Sequence, residues 1–226
     1  MTTTSMPETW TAVDDHITGL LLPADPALDA AQEAARAAGL PPISVSAAQG
    51  KFLHLLARIH GARRILEIGT LAGYSTIWLA RALPDDGRLI TLEFDPKHAE
   101  IARANIARAG VAGKVDIRVG RAIDALPALG PEGPFDLIFI DADKPSTIDY
   151  FRWALKLSRR GTVIVVDNVV REGKLVNPAG DQSAEAMHGF MAWLASETRV
   201  TATALQTVGA KGYDGFVVAL VESPEV

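Results

Sequence analysis

Residues 64–75 read Arg-Ile-Leu-Glu-Ile-Gly-Thr-Leu-Ala-Gly-Tyr-Ser, and this stretch limits the fold of the chain more than any other. Ile65 to Ile68 is a short apolar run with Glu67 inside it, Gly69 and Gly73 bracket a tight turn, and a helical pattern begins at Tyr74. Ile77, Trp78, Leu79 and Leu83 give that helix its apolar face, and Pro84 stops it. A strand, a glycine turn and a helix in succession present backbone N–H groups at a helix N-terminus to a ligand, as doubly wound sheets do. The pattern then recurs. Apolar runs at residues 65–68, 89–94, 115–119, 137–140 and 163–166 alternate with helical stretches over 74–83, 96–109, 122–129 and 147–157. Near-continuous Val/Ile/Leu runs suit parallel strands covered on both faces. A last helix over 184–197 precedes runs at 200–206 and 215–221, whose short separation rules out a helical crossover and predicts antiparallel pairing. The expected fold is α/β: a doubly wound, Rossmann-like sheet, mostly parallel with an antiparallel C-terminal strand, preceded by extra N-terminal helices.

Those helices are expected over 14–22 and 26–38, with a third opened by Ser46-Ala47-Ala48-Gln49 and ending near Gly61. Ser46 and Gln49 have the spacing of a capping box, in which each side chain satisfies the other's backbone donor. No linker, repeat or low-complexity tract divides the chain, so one domain over 1–226 is expected, with 1–12 disordered, 13–60 helical and 61–226 the sheet core.

The glycine spacing discriminates between nucleotides. A dinucleotide site needs G-x-G-x-x-G so that backbone can lie against a pyrophosphate. Here Gly69 and Gly73 stand four apart, and Glu67 precedes the turn. A carboxylate there repels phosphate but accepts from a cationic amine, which favours an adenosine carrying an amino-acid tail, S-adenosylmethionine. Glu93 ends the second apolar run, 20 residues after Gly73 (93 − 73), where an acid can accept from ribose hydroxyls.

Composition excludes several classes. With 226 residues, 48% hydrophobic and 22% charged, the chain is globular and can bury a full core. A net charge of −5 argues against a nucleic-acid partner, and the lack of cysteine removes disulfides and thiolate metal sites. No apolar stretch approaches the roughly 20 residues that cross a bilayer, and Met1 to Thr9 does not resemble a signal peptide. A soluble, cytoplasmic protein is expected.

Two further strand ends concentrate chemistry. Ile138-Phe139-Ile140 runs into Asp141-Ala142-Asp143-Lys144, and Val163 to Val166 runs into Asp167-Asn168. Ligands of such sheets bind beyond the carboxyl ends of the strands. Asp141, Asp167 and Asn168 would converge there as an all-oxygen set, which suits Mg²⁺ better than Zn²⁺. Taken singly, Asp and Asn at such ends are also common caps and turn formers.

Glu67 to Ser75, Glu93, Asp141-Ala-Asp-Lys144 and Asp167-Asn168 together resemble the cation-dependent O-methyltransferases of the catechol and caffeoyl-CoA type, over about Ile43 to Val221. The resemblance implies a class I methyltransferase that moves a methyl group from S-adenosylmethionine to a catechol-like phenolic small molecule. It implies Asp141, Asp167 and Asn168 as ligands of Mg²⁺ or another divalent cation, and Lys144 as the base. It implies cofactor contacts from Val45, Glu67, Gly69, Thr70, Ser75, Glu93, Ala122 and Asp141, with Gly73 in the same turn, and it implies a homodimer. Ser146-Thr147 and the Arg at 121 depart from the family pattern and bear on the choice of acceptor. The ordinary alternative for Lys144 is an ion pair with Asp141 or Asp143. A nicotinamide-dependent reductase shares the fold but lacks its glycine fingerprint here. An amino-group methyltransferase would carry Asn-Pro-Pro-Tyr after the fourth strand. A module that binds the cofactor without catalysis would have no use for Lys144. The five histidines show no ligand spacing. Met187 and Trp193 read as packing before pocket, and the connection over 171–181 reads as a candidate lid.

Overall fold

The computed structural model describes residues 5–223. Its helices are α1 (Met6–Leu21), α2 (Pro26–Ala37), α3 (Ala47–His60), α4 (Tyr74–Ala82), α5 (Pro96–Arg108), α6 (Ala122–Ala125), α7 (Thr147–Lys156) and α8 (Gln182–Ala195). Its strands are β1 (Arg64–Ile68), β2 (Arg88–Glu93), β3 (Val115–Val119), β4 (Phe135–Ile140), β5 (Ser158–Asp167), β6 (Val200–Gly209) and β7 (Gly212–Val221). They form one seven-stranded sheet in the order β3-β2-β1-β4-β5-β7-β6. Pairing is parallel from β3 through β5, and β7 runs antiparallel to both β5 and β6. This is the doubly wound sheet that the alternating runs predict.

The period of two along each strand divides the core into two layers. Leu66, Ile68, Ile138, Ile140, Ile164 and Val166 face α7 and α8, where Phe151 and Phe190 are fully buried. Ile65, Leu89, Leu137, Phe139 and Val165 face the other way, onto Leu53 of α3 and Ile77 and Leu79 of α4. With both faces covered, neither can afford a polar stripe, which is why the central strands read as unbroken apolar runs. At the opposite end from the glycine turn, Asp136 accepts from Arg63 N at 2.8 Å, Arg64 N at 2.9 Å and Arg159 Nη2 at 2.6 Å, tying three strands together.

Three local expectations change. The first helix begins at Met6, so residues 6–12 are helical, while 1–4 lie outside the described residues. Ser5 and Glu8 form a capping box, Ser5 N donating to Glu8 Oε2 at 2.8 Å, and Pro7 sits in the first turn. That supplies the start signal which a polar terminus conceals. The stretch over 122–129 is one short α-turn continued by a 3₁₀ segment over 126–132, which carries Pro127 and Pro131. The Ser46–Gln49 box is half formed: Ser46 Oγ accepts from Gln49 N at 3.1 Å, but the Gln49 carboxamide points elsewhere.

β1 and β4 are neighbours whose chain connections leave toward opposite edges, which opens a crevice at their carboxyl ends. Gly69 lies at that point with φ +99°, and a Cβ there would lie 2.0 Å from the Asp141 carbonyl oxygen. Gly69→Ala is expected to cost about 3 kcal/mol or more of folding stability, from backbone strain plus a clash with main chain. Urea denaturation measures it, and a loss below about 1 kcal/mol would contradict the close approach.

Candidate active site

A cavity of about 750 Å³ opens at this crevice. Its wall includes Val45, Gly69, Thr70, Ser75, Glu93, Ala122, Asp141, Lys144 and Asn168, nine of the residues singled out in the sequence. Glu67, Gly73 and Asp167 stand behind the wall.

The glycine turn is held from three directions. Gly69 N donates to Leu92 O at 2.9 Å, and Asn105 Nδ2, fully buried, donates to Ala72 O at 2.9 Å. Glu93 accepts from Thr70 N at 3.1 Å and Leu71 N at 2.7 Å through Oε2, and from Asp95 N at 2.9 Å through Oε1. A carboxylate that receives three backbone donors is rigidly placed. Glu93 therefore both shapes the turn and presents an oxygen edge to the cavity. His98 Nδ1 lies 3.6 Å from Glu93 Oε1 and also lines the cavity. Gly73 caps α4 with φ +82° and no side-chain bond, so the helix N-terminus keeps its partial positive charge. Glu67 answers part of it, accepting from Ser75 Oγ at 2.7 Å and Thr76 Oγ1 at 2.5 Å. Glu67 is fully buried, and that burial pushes its carboxyl up to about 7 despite the two hydroxyl donors. Its carboxylate reaches the cavity through Ser75.

At the other end, Lys144 Nζ donates to Asp141 Oδ1 at 3.1 Å and to the Asp167 carbonyl at 3.1 Å, bridging the tips of β4 and β5. Lys144 is 9% exposed and Asp167 4%. Asp143 takes no part, because its oxygens accept from Ser146 N at 3.2 Å and Tyr150 Oη at 2.5 Å. Burial, then the Asp143 carboxylate, push the Tyr150 phenol up to about 12. Asp167 accepts from Asn168 N through Oδ1 at 2.8 Å and from Gln49 Nε2 through Oδ2 at 2.7 Å. Burial first, and then the Asp141 charge, raise the Asp167 carboxyl above the usual range. Asn168 adopts φ +57°, a left-handed conformation that asparagine tolerates, and lines the cavity.

Two acids with a single lysine leave one negative charge in excess at the foot of the cavity, and the donor atoms not facing Lys144 are all oxygens. That chemistry fits a hard divalent cation. Among the described residues no cluster of three or more His, Cys, Asp or Glu could hold a metal. A cation here would depend on the Asn168 amide as well as on Asp141 and Asp167.

The O-methyltransferase family matches residues 24–219. The chain belongs to that family. The catechol O-methyltransferase of Niastella koreensis is 56% identical over 93% of this chain and 97% of its own length. That of Mycobacterium tuberculosis is 54% identical over 92% and 94%. The crystal structure of the O-methyltransferase from Bacillus cereus in complex with SAH superposes with a TM-score of 0.93 at 54% identity, covering 96% of this chain and 100% of that one. As a member, this protein is an S-adenosylmethionine-dependent O-methyltransferase built on the class I methyltransferase sheet.

The O-methyltransferase contains functional neighbours that the motifs conceal. Gln49 reads as a helix cap because Ser-x-x-Gln satisfies that pattern in either case. Tyr150 and His98 reach the wall from helix positions whose direction depends on packing. Arg171 also lines it, so only the first residue of the proposed lid segment touches the cavity, and Ser183 lines it from the first turn of α8. Met187 is fully buried, and Trp193 stacks on Phe190 with ring centroids 6.3 Å apart, so both pack as expected. No helix among the described residues is long and apolar enough to cross a membrane.

Glu67 has a measurable signature. Its folded pKa lies above the ordinary carboxyl value, so the buried charge costs nothing below that ordinary value, and the cost grows as pH rises toward about 7. Glu67→Gln, a neutral isostere, should therefore gain on the wild type by about 3 kcal/mol between pH 4.5 and pH 8 in ligand-free denaturation curves. A constant difference across that range would show that Glu67 is not held in this way.

Proposed function

We propose that this O-methyltransferase moves the methyl group of S-adenosylmethionine to one hydroxyl of a catechol-like phenolic small molecule, with Mg²⁺ held by Asp141, Asp167 and Asn168. The observation that carries this reading is Lys144 Nζ, bonded at 3.1 Å to both strand tips at the cavity foot beside Asn168. The catechol O-methyltransferase names of the two relatives above support the same acceptor class.

A bound divalent cation lowers the pKa of a coordinated hydroxyl, which for a phenol starts near 10. The chain's own groups supply the rest. Gly69 and Thr70 present backbone to the cofactor's amino-acid tail, Glu93 presents an oxygen edge to its ribose, and Val45 and Ala122 close the apolar sides. Asp141 stands on the wall between the two substrates. Lys144 Nζ, once its ammonium has released a proton to solvent, takes the acceptor's proton as the acceptor oxygen attacks the methyl carbon, while the sulfur leaves with the electron pair of the broken bond. Alignment of the two reactants supplies about 7–11 kcal/mol, more than proton transfer, which is worth roughly 10²–10⁴-fold. A methyltransferase using a non-phenolic acceptor is the second reading; Ser146 and Arg121, which depart from the family pattern, line the same cavity. We further take the enzyme to act in the cytoplasm as a homodimer, with the exposed Met6, Val13 and Leu20 of α1 at the contact.

Methyl transfer to catechol, followed by chromatography, should require Mg²⁺ and fall to background with EDTA; equal rates would overturn the cation. Lys144→Ala should lose about 10²–10⁴ in kcat while S-adenosylmethionine binding persists. An unchanged kcat would remove Lys144 as the base.

A further inference from the structure

Gln49 lies in the first turn of α3, 118 residues before Asp167, yet its Nε2 donates to Asp167 Oδ2 at 2.7 Å. The other oxygen, Oδ1, accepts from Asn168 N at 2.8 Å. Each carboxylate oxygen offers two lone-pair directions, so these bonds fix the carboxylate plane and leave one direction free on each oxygen. Asp167 is 4% exposed, which leaves little solvent to replace a lost donor. We infer that Gln49 is a positioning residue that sets the orientation in which Asp167 meets the cation, an inference that rests on the Mg²⁺ reading above. Gln49 also connects the two halves of the site. Its backbone N–H is bonded at 3.1 Å to Ser46, one residue beyond Val45 on the cavity wall, while its side chain is tied to β5. The segment that borders the cofactor and the strand that offers Asp167 thus share one side chain. Partners that orient a metal-ligating group are typically worth about 10–100-fold in metal affinity.

The test titrates the full-length enzyme with Mn²⁺, counting free ion by electron paramagnetic resonance, beside S-adenosylmethionine affinity and melting temperature. Gln49→Leu and Gln49→Met each remove the donor at similar size without adding charge, the second on an unbranched side chain. Both should bind Mn²⁺ about 10–100-fold more weakly, with cofactor affinity within about twofold of wild type and a melting temperature only a few degrees lower, the cost of one donor lost at buried Asp167. Wild-type Mn²⁺ binding matched by Gln49→Leu overturns the role of Gln49 and leaves the Mg²⁺ reading standing. A wild type that binds no Mn²⁺ overturns both. Loss of metal and cofactor together, with a melting temperature lowered well beyond that in both variants, makes Gln49 a structural brace and overturns the role as well.

Discussion

Gly69 approaches the Asp141 main-chain carbonyl as no residue with a Cβ could. A Cβ at Gly69 would lie 2.0 Å from that oxygen, so glycine lets the turn after β1 fold directly onto the tip of β4. Asp141 N donates to Ile68 O at 2.9 Å and continues the parallel ladder to the edge of the crevice. The chain leaves these two strands in opposite directions, and the space so opened is the cavity. The glycine turn then borders one half of it, and Asp141 and Lys144 after β4 with Asn168 after β5 border the other. A bulkier residue at 69 would separate the two halves before any side-chain chemistry mattered.

Buried acids are the second constraint, and each is handled differently. Glu93 takes three backbone donors and becomes part of the turn. Glu67 takes two hydroxyls from the start of α4, and Asp167 takes one amide and one backbone N–H. Of the acids around the cavity, partly exposed Asp141 is the one with a lysine or arginine beside it, and it shares Lys144 with the Asp167 carbonyl. The upward shifts of Glu67 and Asp167 record the cost of holding charge away from water. Both ends of the cavity are thus electrostatically prepared for positive charge: an amine and sulfonium at one end, a divalent ion at the other in the proposed reaction.

Element order was legible because each central strand is buried on two faces and each helix on one, so the hydrophobic period changes at every junction. The close of β1 at Ile68, the left-handed Gly73 and the antiparallel β7 all follow from local chemistry that can be read along the chain. Side-chain direction was less legible. Glu67, Gly73 and Asp167 were placed correctly at strand and helix ends, but a strand end does not tell which way a carboxylate turns, and they stand behind the cavity wall. Lys144 read as a base, and it also holds the Asp141 ion pair that was the ordinary alternative. Gln49 was the least visible, since Ser-x-x-Gln is complete as a local motif and its true partner lies 118 residues away. Met6 to Leu21 was underestimated because a capping box within a polar terminus gives little hydrophobic signal.

Anomalous diffraction from crystals grown with Mn²⁺ and S-adenosylmethionine addresses the proposed centre most directly. A single peak at bonding distance, about 2.0–2.2 Å, from carboxylate oxygens of Asp141 and Asp167 and from the Asn168 amide oxygen is the expected result. A peak bound to other groups, or none at these strand tips with the cofactor in place, would contradict a cation-assisted transfer at this site.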